Sequence, residues 1–270
     1  LTFLGTPPPW WGWSLVAIGV VSGVLGVLFA LAQHDLKRLL AYHSVENIGI
    51  IALGIGIGLL GISYGSPAMA FLGLAGALLH VINHAVFKSL LFLSAGSVIH
   101  AAGTGDIEHL GGLLKRLPAT GLAFLVGSAA ICGLPPLNGF VSEFLIYLSS
   151  LRAVAEPSRQ PVGTVFAGMI GLAALALIGG LAVACFVKAF GVIFLGEPRS
   201  SASAAAHESG GAMKMPMAIL ATTCAAIGLG GSFIIPFLQP AVGVVAGLSS
   251  APAGVGDALT MLAGVAPGGI

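Results

Sequence analysis

The sequence predicts an all-α integral membrane protein, and three observations lead there. Charged residues make up only 7% of the 270-residue chain, against about a quarter in a globular domain. Hydrophobic residues reach 57%, and mean hydropathy is +1.06. Several apolar runs approach or exceed the roughly 18–20 residues that cross a bilayer. With 10 Lys+Arg and 9 Asp+Glu, a soluble surface of this size could not be covered. Formal net charge is +1, which leaves no electrostatic footprint for nucleic acid.

The first span is expected from Trp11 to Ala32, behind Pro7, Pro8, Pro9 and Trp10. Prolines suit a first helical turn, and tryptophans suit the headgroup level. The polar stretch from Gln33 to Arg38 closes it. A second span runs from Leu39 to Ile62, a third from Met69 to Ile99, and a polar, Gly-rich connection follows. The fourth apolar region, Ala119 to Leu151, is 33 residues long, about 50 Å as a straight helix against a bilayer core of about 30 Å. Gly133, Pro135, Pro136 and Gly139 lie in its middle. Adjacent prolines remove two backbone donors, so two half-helices joined by an unwound segment are expected, with a simple proline kink as the alternative. A fifth span covers Val162 to Leu195, a mobile Ser/Ala-rich loop covers Gly196 to Lys214, and a sixth span covers Met215 to Leu238. Residues from Gln239 onward read as a loose tail or a weak seventh segment. The chain opens on Leu1 with no charged leader, and a fragment or partial gene product is the expectation.

Loops one, three and five carry Lys37, Arg38, Lys115, Arg116, Arg199 and Lys214, while loops two and four carry Arg152 and Arg159. Six cations against two put the odd loops in the cytoplasm and the N-terminus of this chain outside. Cys132, Cys185 and Cys224 are scattered through apolar runs and read as small core residues. Without a C-x-x-C pattern, no redox cofactor or metal is expected in this chain.

Charge inside a span demands an explanation. His80, His84 and Lys88 recur at i, i+4 and i+8, which stacks them on one face of the third span. Two imidazoles and an ammonium in a row can pass protons, because histidine titrates near neutrality and lysine shifts readily on burial. An interhelical hydrogen-bonding face is the structural alternative, and His-x3-His is also a helical metal-ligand spacing, although no carboxylate or thiolate nearby completes a shell. Glu143 stands at the start of the second half-helix and could alternate between charge states there, or simply sit near the surface. His43 and Glu46 are i, i+3 neighbours that can pair, Lys37 borders the second span, and Lys188 lies close enough to the end of its span to snorkel.

Four segments then carry a resemblance. The run from Gln33 to Val45, QHDLKRLLAYHSV, is similar to the D-[ILM]-K-R-[LV]-[LI]-A-Y-S-[ST] signature of proton-conducting, antiporter-like membrane subunits. HVINHAVFKSLLF (His80 to Phe92) resembles their H-x3-H-x2-F-K-[AS]-L-L-F helix. GDIEHLGGLLKRLP (Gly105 to Pro118) and GLPPLNGFVSEF (Gly133 to Phe144) match two more signatures, all in the family's order. The family holds complex I membrane-arm subunits, Mrp-type antiporter subunits and the large membrane subunits of energy-coupled hydrogenases. His43 and Glu46, with the segment from Phe186 to Arg199, resemble the branch formed by the large membrane subunits of hydrogenase-4 and formate hydrogenlyase.

The resemblance implies a fold with two inverted five-helix repeats, each containing one broken helix. Residues 1–195 would form the second repeat, and 196–270 a loop, one further helix and a tail. It also implies a proton path through Lys37, His80, His84, Lys88 and Glu143, to which the reading of the residues themselves adds His43 and Glu46, with Lys188 as a possible member. This chain would then be a non-catalytic, proton-translocating subunit in the inner membrane. Its partners would be other membrane subunits and, through them, a peripheral redox module of hydrogenase or NADH:quinone oxidoreductase type. A sodium/proton antiporter subunit and a non-transporting scaffold are the rival readings.

Overall fold

The computed structural model describes residues 5–155 and 161–247, together with 252, 256, 260 and 261. Among the described residues there is no β-strand, and the helices are α1 (Pro9–Leu31), α2 (Leu36–Ser63), α3 (Pro67–Ala102), α4 (Pro118–Ile131), α5 (Asn138–Ala155), α6 (Val162–Phe194), α7 (Ser201–Ala205), α8 (Gly211–Leu229) and α9 (Gly231–Ala246). Proline occupies the first turn of α1, α3 and α4, where its missing N–H would have found no helical partner. Among the described residues, five helices are long and apolar enough to cross a membrane.

The fourth region is broken as expected. α4 stops at Ile131, α5 starts at Asn138, and the prolines lie between them. Gly133 takes the left-handed conformation at φ 63°. A Cβ on Gly139 would run into the Ala130 carbonyl oxygen, so the half-helices meet there backbone to backbone. The sixth span is a correction. It is not one helix to Leu238 but two, because the Gly230–Gly231 pair gives up helical stability at that point. α9 then continues to Ala246, so the first part of the expected tail is helical, while most of residues 248–270 lies outside the described residues. The connection from Gly196 to Lys214, expected to be mobile, instead packs. Its short helix α7 buries Ser203, and Glu208 accepts the Ala119 amide at 2.7 Å, capping α4.

α1 lies along α2 through small residues. A Cβ on Gly19 would sit 2.6 Å from the Leu53 amide nitrogen, and one on Gly26 would sit 2.6 Å from that of Glu46. Where lipid is as apolar as leucine, such close backbone approach is what dispersion can exploit. α2 and α3 form the centre, and α4, α5, α6, α8 and α9 surround them. Two of the sequence signatures clasp each other at one end of the bundle. The Leu36 amide donates to the Gly105 carbonyl at 2.9 Å, and the Ile107 amide to the His34 carbonyl at 2.9 Å. Asp35 caps α2 through the Arg38 amide at 2.9 Å. Side-chain pairs join His34 to Glu108 at 2.9 Å and His109 to Asp106 at 3.1 Å. The Asp106 carboxyl is held below its usual range, first by the Glu108 amide and then by His109 and His34. A lowered carboxylate pKa favours the fold above the ordinary aspartate range, and that support is lost as the pH falls through it.

The packing and the cap can each be tested by stability. Gly19→Ala overpacks the α1–α2 contact and should cost about 1–3 kcal/mol. Gly96→Ala, where a Cβ meets open space within α3, should instead gain about 0.5–1 kcal/mol. Thermal unfolding in detergent reads both, and the same sign for the two would contradict the packing. Asp35→Ala removes the α2 cap and should lower stability by about 1 kcal/mol, whereas Asp35→Asn should retain most of it.

Candidate proton-transfer site

The site is built where α2, α3 and the α4–α5 break meet. Along α2, His43 and Glu46 are fully buried, and their side chains pair through the imidazole Nδ1 and a carboxylate oxygen. The His43 ring lies on Phe186 of α6 with centroids 4.5 Å apart. One turn earlier, the Leu40 carbonyl accepts a hydrogen bond from Lys88 Nζ, which reaches across from α3. Lys88 is 6% exposed, and its ammonium lies 5.1 Å from the centre of the Phe92 ring. The stem of Lys88 therefore crosses the bundle interior and not the lipid face, as its spacing with the histidines predicts.

His80 is the hub. It is fully buried, with Nε2 3.0 Å from Asn47 Oδ1 and Nδ1 2.9 Å from Ser142 Oγ. Asn47 donates its amide to the His43 carbonyl at 2.7 Å, so a hydrogen-bonded chain runs from the α2 turn holding His43 through His80 to α5. Asn83 donates to the Asn138 carbonyl at 2.7 Å and to Ser142 Oγ at 2.9 Å, and Asn138 donates back to Asn83 Oδ1 at 3.3 Å. These bonds tie the first turn of α5 to α3 beside the break.

Glu143 follows on that same turn and is 8% exposed. Its carboxylate lies against Gly133: a Cβ there would be 2.6 Å from Oε2. The glycine thus serves twice, in its positive φ and in the room it leaves for the acid. His84 is half-buried against Phe87, with centroids 5.7 Å apart. His84 Nε2, His43 Nε2 and Asn138 Oδ1 are buried without protein partners, which leaves hydrogen-bonding capacity along the cluster that water can satisfy.

Two expected members stand apart. Lys37 is exposed at the first turn of α2, outside the buried cluster, because it is its neighbours Leu36, Leu39 and Leu40 that face inward. Lys188 is half-buried on α6, and its ammonium donates to the carbonyls of Leu31 at 2.9 Å and Gln33 at 3.3 Å. It caps the C-terminal end of α1, where a cation suits the helix dipole. Sequence reasoning gave no role to Asn83, Asn138 or Ser142. Polar amides and a hydroxyl inside apolar spans were the available signal, but nothing local says that they face one another. Among the described residues, no cluster of three or more His, Cys, Asp or Glu side chains could hold a metal ion.

The family comparison agrees with the four signatures. The model described as "NADH:quinone oxidoreductase/Mrp antiporter, TM" matches residues 2–156. Hydrogenase-4 component B of Escherichia coli K12 is 47% identical over 231 residues, which are 85% of this chain and 34% of that protein. Formate hydrogenlyase subunit 3 of the same organism is 43% identical over 238 residues, 88% of this chain and 39% of that protein. The chain thus spans little more than a third of the length of these relatives. A chain of the Mrp complex from Dietzia sp. DQ12-45-1b shares the fold with a TM-score of 0.69 at 22% identity, over 93% of this chain and 49% of that one. With apolar membrane-length helices, the motif order and a family match over more than half its length, this chain is a multi-pass membrane protein and belongs to the NADH:quinone oxidoreductase/Mrp antiporter membrane family.

Proposed function

We propose that this chain moves protons as a membrane subunit of a redox-driven complex of hydrogenase-4 or formate hydrogenlyase type. The observation that carries the reading is the row of proton-bearing groups on α2 and α3, most of them buried, which Ser142 and Asn138 tie to the start of α5, the half-helix that carries Glu143. Glu46 and His43, Lys88, His84 and His80 can each hold or release a proton, and water bridges the gaps that side chains cannot span. Lys88, bonded to a backbone carbonyl, can give up its proton without leaving an unpaired anion behind. Glu143 exchanges with the side of the membrane opposite to the clasp. Lys37, on the surface, fits a part in proton entry better than a part in internal transfer.

The hydrogenase branch is favoured over the antiporter reading by the greater similarity to the two hydrogen-metabolising relatives and by the His43–Glu46 pair. In this reading residues 1–195 are one five-helix translocating repeat with its broken helix, and residues 196–270 add a docking loop, one broken further span and a tail. The clasp end faces the cytoplasm, the N-terminus of this chain lies outside, and the membrane is the inner one. Electron transfer occurs in partner subunits, and this chain binds no redox cofactor. Those partners are other membrane subunits and a peripheral redox module, whose turnover changes the proton affinity of the row step by step.

The test is proton flux in vesicles energised by the electron donor, normalised to assembled complex. Lys88→Met and Glu143→Gln should each lower flux about a hundredfold or more, the scale on which a lost proton-transfer group acts. Lys115→Met should leave it near wild type, since Lys115 is exposed and pairs only with the equally exposed Glu197 at 3.1 Å. Wild-type flux in both core variants would overturn the path and favour a scaffold.

A further inference from the structure

We infer that Ser142 is a hydroxyl switch through which the proton on His80 is felt at the helix break that carries Glu143. The switch rests on the proton-path reading and adds a residue and a coupling to it.

Donors and acceptors around the imidazole define the switch. Asn47 donates to the His43 carbonyl, which can only accept, and this orients its amide so that Oδ1 faces His80. His80 Nε2 must then carry a hydrogen in either charge state. Nδ1 alone changes, and it faces Ser142 Oγ at 2.9 Å. Asn83 Nδ2 is oriented in the same way by the Asn138 carbonyl, so it can only donate to Ser142 Oγ. The serine oxygen thus always accepts from Asn83 and has one lone pair and one proton left.

That single proton has two destinations. With His80 neutral, Nδ1 is an acceptor and the hydroxyl turns toward it. With His80 protonated, Nδ1 donates to the oxygen, and the hydroxyl must turn to the Gly139 carbonyl, 3.0 Å away. Gly139 is the second residue of α5, and its carbonyl is the acceptor that the helical ladder assigns to the Glu143 amide. A proton arriving at His80 therefore changes the hydrogen bonding of the carbonyl above Glu143. No covalent bond breaks at Ser142: its O–H rotates off Nδ1, and the proton that Nδ1 takes comes from the neighbouring His84 or Lys88 through the bridging water of the proposed path and leaves by the same water. Ser142 is fully buried, so bulk solvent does not reach either arrangement. The charged or titratable groups arranged around His80 are His84 and Lys88 on its own helix, His43 and Glu46 on α2, and Glu143 on α5.

A positioning role of this kind needs the hydroxyl and not only the volume. In the assembled complex, Ser142→Ala should lower normalised proton flux about tenfold or more, and Ser142→Thr, which keeps an O–H, should recover most of it. Solid-state NMR of the complex labelled with 15N-histidine, with His80 assigned by its loss in His80→Gln, provides a second readout. Neutral His80 should show the Nε2–H tautomer with Nδ1 hydrogen-bonded, and the Nδ1 signal should move to the free-acceptor position in Ser142→Ala. Wild-type flux in Ser142→Ala, an unchanged Nδ1 signal, or no recovery in an assembled Ser142→Thr complex would each overturn the switch. Lys88→Met separates the two readings: if it abolishes flux while Ser142→Ala does not, the path stands and the switch falls, and if Lys88→Met retains flux the path itself falls.

Discussion

A helix opened at membrane depth releases backbone groups that no lipid can satisfy, and the arrangement of this bundle follows from how they are met. The break between Ile131 and Asn138 lies against α3, where the Asn83 side chain donates to the Asn138 carbonyl. It also lies against α8: a Cβ on Gly228 would run into the Pro136 carbonyl oxygen and the Leu137 backbone. Helix α3 on one side and a bare stretch of α8 on the other thus enclose the unwound segment. Only with that support can α5 begin deep in the bundle, and only then does Glu143 stand among buried groups.

The same constraint governs the charges. Three of the ionisable side chains in the interior are held by partners away from hydrocarbon: Lys88 has the Leu40 carbonyl and the Phe92 ring, His43 has Glu46, and His80 has Asn47 and Ser142. These partners are mostly neutral dipoles or a titratable mate. A bundle that locked each charge in a tight, isolated ion pair would be stable but would hold its protons fast. Carbonyls, amides and hydroxyls stabilise a charge without fixing it, which suits the proton path proposed above.

The clasp at the opposite level has a different part. Backbone hydrogen bonds from the α1–α2 turn to the loop after α3, with His34–Glu108 and His109–Asp106 beside them, fix the ends of α2 and α3 relative to one another. The exposed ion pairs contribute little individually, so the two backbone bonds and the Asp35 cap set the register. The signatures QHDLKRLL and GDIEHLGG therefore belong to the frame that aligns the faces of α2 and α3, while the buried titratable groups lie one to three turns of α2 further in.

Much of this was legible from residues alone. Hydropathy determined the class, the Pro135–Pro136 pair determined the break, and the i, i+4, i+8 spacing put His80, His84 and Lys88 on one face, because each depends on local stereochemistry or on a helical period that is the same wherever the helix lies. The four signatures brought the family with them. Tertiary structure decided the rest. Lys37 is helical and cationic like Lys88, yet it is exposed, since which face of α2 turns inward depends on what packs there. Lys188 became a cap for α1 and not a free cation, because the end of α1 comes within its reach. The single span read through Gly230 is two helices, and the Ser/Ala-rich loop is docked through Glu208. Asn83, Asn138 and Ser142 acquired their place only when α3 and α5 met, since a hydrogen bond between residues 55 or more positions apart leaves no trace in the periodicity of either helix.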